Sequence, residues 1–137
     1  MSDSSFFFEI VTPEKVLISD SFDSVELPGK QGEFQILSGH TPFMSGLTVG
    51  SVTLMKGAQK TCASISGGYC EVMQDKTTVL VHTAELAEDI DVARAEDSEK
   101  RARKRLSELK TDTSIDEERA KLSLMRALSR LNTAKMK

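Results

Sequence analysis

Near residue 88 the spacing of apolar residues changes from every second position to every third or fourth, and no single kind of element satisfies both periods. On the N-terminal side, Phe6, Phe8 and Ile10 alternate with Phe7, Glu9 and Val11. A strand sends these two sets to opposite faces. Further short runs rich in β-branched or aromatic residues follow at 15–18, 24–27, 33–37, 51–55, 61–66, 69–73 and 77–82. Turn chemistry separates them: Pro28-Gly29, Gly39-His40-Thr41-Pro42, Lys56-Gly57, Gly67-Gly68 and Gln74-Asp75. Many short strands at this spacing predict an antiparallel β-sandwich or barrel over residues 1–87.

Beyond 88 the composition turns to Ala, Glu, Lys and Arg, which favour helix. Val92, Ala95, Ala102, Leu106 and Leu109 form a thin stripe, with Asp91 as a plausible N-cap. The segment 111–114 breaks the pattern. Ser114 and Glu117 have capping-box spacing and predict a second helix from about 115 to 134. Its stripe is Ile115, Leu122, Met125, Leu128 and Leu131, with Ala120, Leu124 and Ala127 beside it. So short a connection implies an antiparallel helical hairpin over 88–137. A fully buried Leu or Met is worth about 1.5–3 kcal/mol, against roughly 1–2 kcal/mol of backbone entropy per ordered residue. The hairpin therefore leans on the β domain or on a partner. Two readings are open: a detachable switch, or a docked hairpin that never moves.

Charge divides the same way. Residues 1–87 hold five Lys/Arg and ten Asp/Glu, and residues 88–137 hold thirteen and eleven. The cluster Lys100-Arg101-Ala102-Arg103-Lys104-Arg105 fits an anionic partner, or a solvated face balanced by Glu96, Asp97 and Glu99. Without aromatic interleaving it does not point to nucleic acid. No phosphate-binding glycine loop is present. His40, His82, Cys62 and Cys70 match no zinc spacing, and nothing local activates either thiol. Residues 1–5 lack the basic start of a signal peptide, and no apolar run is long enough to span a bilayer. The reading is a non-enzymatic interaction module in a cytoplasm-like compartment.

Several stretches, taken in order, resemble the ε subunit family of F-type ATP synthases. They are Phe8-Glu9-Ile10-Val11-Thr12-Pro13-Glu14, the run from Val25 to Phe34 containing Leu27-Pro28-Gly29-Lys30-Gln31-Gly32, Gly39-His40-Thr41-Pro42, Ser66-Gly67-Gly68-Tyr69-Cys70-Glu71-Val72, Thr77-Thr78-Val79-Leu80, Ile90-Asp91-Val92-Ala93-Arg94-Ala95 and Ala127-Leu128-Ser129-Arg130-Leu131. The resemblance departs at Gln35 and Ser38, where the family usually has Gly and Pro.

The resemblance implies a non-catalytic rotor subunit of the central stalk. Its partners would be the γ subunit, the c-ring and the α/β catalytic head, with the membrane reached only through the complex, on the cytoplasmic face of a bacterial inner membrane. It places Lys30, Gln31, Gly32, Glu33 and His40 at the c-ring edge. It implies that the hairpin either folds down or extends into the head to restrain hydrolysis. Ile90-Asp91-Val92-Ala93-Arg94-Ala95 is similar to the family's ATP-binding hexapeptide, so Ile90, Asp91, Arg94 and Ala95, completed by Glu85, Arg101, Arg126 and Arg130, would hold ATP as a regulatory ligand. No obligatory cofactor is implied. For Asp91 a plain helix-cap role stays open. A free-standing ATP-sensing module and an enzyme with an unrecognised site are the competing functions.

Overall fold

The structure is a computed structural model, described here over residues 5–74, 76–111 and 114–136. The start of the N-terminal segment 1–5, Asp75 of one predicted turn and two residues of the predicted break 111–114 lie outside the described residues. Eight strands are found among the described residues: β1 (Phe6–Val11), β2 (Val16–Phe22), β3 (Ser24–Gly29), β4 (Gly32–Leu37), β5 (Phe43–Lys56), β6 (Gln59–Val72), β7 (Lys76–Val81) and β8 (Ala84–Leu86). Two helices follow, α1 (Val92–Ser107) and α2 (Glu117–Ala134). Single 3-10 turns, Ala87–Asp89 and Glu108–Lys110, flank α1.

The strand order is β2-β1-β7-β6-β5-β3-β4, with β8 added beside β6. All pairings are antiparallel except β1 with β7, where Ile10 lies opposite Val79. Strand periodicity does not reveal this pair, because it joins the two ends of the domain's sequence. The alternation predicted for β1 holds: Phe6, Phe8 and Ile10 are buried, and Phe7, Glu9 and Val11 lie half-buried on the other face. Phe8 and Ile10 join Val25, Leu27, Ile36, Leu47, Val52 and Val79 in the core.

The longest elements hold the sandwich together. β5 and β6, 14 residues each, stay paired from Phe43↔Val72 to Lys56↔Gln59. Sequence reasoning splits β6 into two runs with a hairpin turn at Gly67-Gly68. The structure corrects this, since both glycines lie inside one strand at positive φ, +99° and +151°. Before them β6 pairs with β8 through Ala63, Ser64 and Ile65. After them it pairs with β7, starting at Gly68↔Val81. The pair is thus a corner through which one strand serves both layers, a use of glycine that a turn and a bend share. The first half of β5 also escapes the reading, because Ser45, Gly46 and Gly50 carry weak strand signals.

The hairpin departs from prediction in two ways. Its second helix starts at Glu117, with Asp116 as N-cap accepting from the Arg119 amide at 3.1 Å. The expected Ser114–Glu117 box does not start the helix, since Asp116 sits closer to the first turn and carries a full charge there. The buried side of α2 is Ala120, Ala127, Ser129 and Thr133, whereas Leu122, Met125 and Leu128 are 40–46% exposed. Small residues win the buried positions because they allow close approach. The buried residues of α1, against which α2 packs, are Ala95 and Ala102. Met125 and Leu128 border an open groove of about 710 Å³ beside Pro28, Val49 and Gly50.

Both cysteines are free and buried. Burial pushes the Cys70 thiol up to about 12. In the unfolded chain a thiol ionises near about 8.5. The native state therefore keeps its proton where the unfolded one loses it. This contribution to stability is complete below the unfolded value and is lost as pH rises toward 12. With Cys62 replaced by alanine, native protein at pH 8 is expected to react with iodoacetamide roughly a thousandfold more slowly than denatured protein. Equal rates would contradict it.

Candidate functional site

The site is built where β8 adds to β6 and α2 lies across them. Antiparallel pairing puts Ser51 of β5 opposite Ser64 of β6, and Ser64 opposite Glu85 of β8. Three polar side chains thus form one row across three strands. Each meets α2. Ser51 Oγ and Thr133 Oγ1 are 2.5 Å apart, Ser64 Oγ and Ser129 Oγ are 2.9 Å apart, and Arg130 Nε donates to Glu85 Oε1 at 2.6 Å. The Cys62 thiol also points to the Met136 carbonyl at 3.8 Å. Ser129 and Thr133 stand one turn apart on the helix, which lets one face reach two strands. Hydroxyls at i and i+4 among leucines are the one signal sequence reasoning had for this contact, and it passed unread.

Of the residues assigned to nucleotide, Glu85, Arg126 and Arg130 come together. They line a cavity of about 10 Å³ with Ser64, Ser66 and Thr83, space for about one water. Ile90 and Ala95 are buried and anchor the entry to α1. Asp91 caps α1, its Oδ1 accepting from the Arg94 amide at 3.1 Å. The Arg94 residue is exposed, and Arg101 donates to Ser98 one turn earlier on α1 at 3.2 Å. Among the described residues, no hydrogen bond or ion pair joins Asp91, Arg94 or Arg101 to the Glu85–Arg130 pair. The basic cluster of α1 is exposed, with Arg103 paired to Glu99 at 2.9 Å.

The predicted c-ring edge is the tip of the β3–β4 hairpin. Gly29 pairs with Gly32, leaving Lys30 and Gln31 as its two-residue turn, with Gly32 at φ +127°. Gln31, Gly32 and Glu33 are exposed. Lys30 is exposed as well, but it is anchored. Its amide bonds the Gly46 carbonyl at 3.0 Å, and its ammonium reaches over the Tyr69 ring, 5.9 Å from the centroid. His40 donates Nδ1–H to the Thr41 carbonyl at 2.8 Å, and its ring lies 5.0 Å from Phe43. Phe43 in turn meets Phe34 of β4 at 5.5 Å, which ties the His40 loop to the hairpin. Gln35, where the resemblance departs, is exposed opposite Glu26 and leaves the hairpin register unbroken.

The second feature that sequence reasoning missed is on the other outer face. Val16 pairs with Val11, Val11 with Leu80 and Leu80 with Tyr69 across β2, β1, β7 and β6. Tyr69 and Leu80 are 59% and 53% exposed. This apolar row borders a depression of about 490 Å³. The alternation of β7 contained the signal: with Val79 and Val81 inward, Leu80 must point out.

A β-sandwich carrying a helical hairpin, with polar contacts between the two, defines a class of small two-part proteins. Residues 5–87 match the β-sandwich domain of the ATP synthase delta/epsilon chain, and residues 88–135 match its long α-helix domain. The chain is 42% identical over 129 residues to the ATP synthase epsilon chain of Nitratidesulfovibrio vulgaris strain DP4, covering 94% of this chain and 95% of that one. It is 44% identical over 126 residues to the epsilon chain of Syntrophobacter fumaroxidans, covering 92% of each. A chain in the cryo-EM structure of the Euglena gracilis mitochondrial ATP synthase, OSCP/F1/c-ring in rotational state 1, shares the fold with a TM-score of 0.80 at 17% identity, over 97% of this chain and 82% of that one. The chain belongs to the epsilon-chain family of F-type ATP synthases. No described helix is long and apolar enough to cross a membrane.

Proposed function

We propose that this chain is a non-catalytic rotor subunit of the ATP synthase central stalk, seated on the γ subunit through the row Val16, Val11, Leu80 and Tyr69. The exposed apolar row carries this reading. An apolar face on one outer layer, left open while α2 covers part of the other, is what a permanent partner would bury. The exposed tip Gln31-Gly32-Glu33, with His40 beside it, supplies polar groups suited to the loops of a c-ring. Membrane association then comes through the complex, on the cytoplasmic face. The hairpin is the regulatory part. At about 1.5 Å per residue, its helices opened end to end would reach the catalytic head. There the basic cluster of α1 would meet acidic segments and restrain hydrolysis.

The convergence of Glu85, Arg126 and Arg130 supports a second element, ATP as a regulatory ligand. Two arginines on successive turns suit a polyphosphate. A cavity with room for about one water cannot hold a nucleotide, so binding requires α2 to shift or Arg130 to leave Glu85. Calorimetric titration of the full chain with MgATP tests this. Saturable binding that disappears in Arg126→Ala supports the sensor. Absence of heat up to millimolar ATP removes it and leaves the rotor role standing. A free-standing ATP sensor would purify without the large catalytic subunits, whereas a rotor subunit co-purifies with them.

A further inference from the structure

We infer that the three-strand polar row and its helix partners form a clasp that sets how readily the hairpin leaves the β domain. The inference rests on the reading that the hairpin is a detachable regulatory part. It goes further by naming the contacts that fix the docking equilibrium. They are Ser51 with Thr133, Ser64 with Ser129, and Glu85 with Arg130.

Three observations converge. The first is the chemistry of the interface. α2 packs on β5 and β6, where Ser51 meets Thr133 and Ser64 meets Ser129, and the Glu85–Arg130 ion pair joins it to β8 alongside. Three of the larger apolar residues of the helix, Leu122, Met125 and Leu128, remain 40–46% exposed while docked. Their burial is incomplete, which leaves the polar pairs a larger share of the docking. The second is satisfaction. Ser64, Ser129 and Thr133 are buried, and no buried side-chain nitrogen or oxygen among the described residues lacks a partner. In the open state water takes over every one of these bonds. In the docked state a missing partner leaves a buried hydroxyl unmet, which is the costly case. The third is position. The row ends in Glu85–Arg130, whose side chains are each 37% accessible to solvent. The two hydroxyl pairs thus hold the helix from beneath, and the ion pair is the member an anion can reach.

Polar pairs give docking a signature that apolar packing does not have. Removing one hydroxyl of a pair penalises the docked state. Removing both leaves two small apolar groups in contact, which is nearly neutral. The effects are therefore strongly non-additive.

The test is hydrogen exchange on the full chain, comparing amides of α2 with those of the β5–β6 pair. In the unmodified protein α2 is expected to open while β5 and β6 stay protected. Ser129→Ala, which strands Ser64, should raise the population of open α2 by about tenfold. Thr133→Val, which strands the half-buried Ser51, should act in the same direction by a smaller factor. Ser64→Ala combined with Ser129→Ala should return to within about threefold of the starting value. Protection in the β5–β6 pair reports that every variant still folds. If α2 opens only together with the β strands, the detachable hairpin itself is wrong and the clasp falls with it. If α2 opens separately but the single substitutions leave it unchanged, or the double substitution equals the sum of the singles, the clasp alone is overturned.

Discussion

Replacing Gly68 by alanine is expected to lower the melting temperature by roughly 10–20 °C, a loss of about 3 kcal/mol or more. Two costs act together. The backbone there has φ +151°, and an added Cβ would stand 2.1 Å from the Leu80 carbonyl oxygen and 3.0 Å from the Val81 Cα. Those are backbone atoms of the neighbouring strand, so no rotamer change relieves the clash. The strand would have to leave β7 at the corner where it changes partner. Gly32→Ala is the control. Its φ of +127° is also unfavourable for a side chain, yet nothing lies within 4 Å of the added carbon. It should cost only about 1 kcal/mol. Thermal unfolding of the two variants side by side checks the argument. Equal losses would mean that torsion, not the close approach to Leu80, governs Gly68.

The second large effect is expected in assembly. Leu80→Glu should leave the isolated chain folded, with a melting temperature within a few degrees, because this side chain is half exposed and borders no core. Binding to the γ subunit should weaken at least about a hundredfold. A carboxylate placed at the centre of an apolar contact removes burial and must also be desolvated. Tyr69→Ala should act in the same direction, more mildly, and release the Lys30 ammonium from its ring. Pull-down of γ with each variant measures this. Undiminished capture by Leu80→Glu would place γ on some other face.

The β domain was legible because alternation is a local property: Phe6, Phe8 and Ile10 disclose their face without any knowledge of their partners. What the partners do was not legible. The parallel contact of β1 with β7 joins residues some seventy positions apart, and nothing in either strand encodes it. Gly67-Gly68 carries the same composition whether the chain reverses or bends. In the hairpin, the reading gave large apolar residues the buried side of α2. Close packing on α1 instead chose alanines, and the sheet chose hydroxyls. The site shows the same division. Asp91 as a cap was visible from its place before a helix-forming run. The meeting of Glu85 with Arg130 depended on β8, a three-residue strand too short to announce itself. Lys30 was grouped with its sequence neighbours, yet its side chain turns away from them toward Tyr69.

The long β5–β6 pairing has a mechanical meaning. Both layers of the sandwich contain the same two strands, joined by ladder pairing on either side of the corner and passing it as continuous backbone. Shear between the layers would have to stretch covalent chain instead of sliding one packed surface over another. A torque entering through the Leu80 face would therefore reach the Glu33 edge with little elastic lag. Compliance would be confined to the hairpin, the part attached through a few polar contacts.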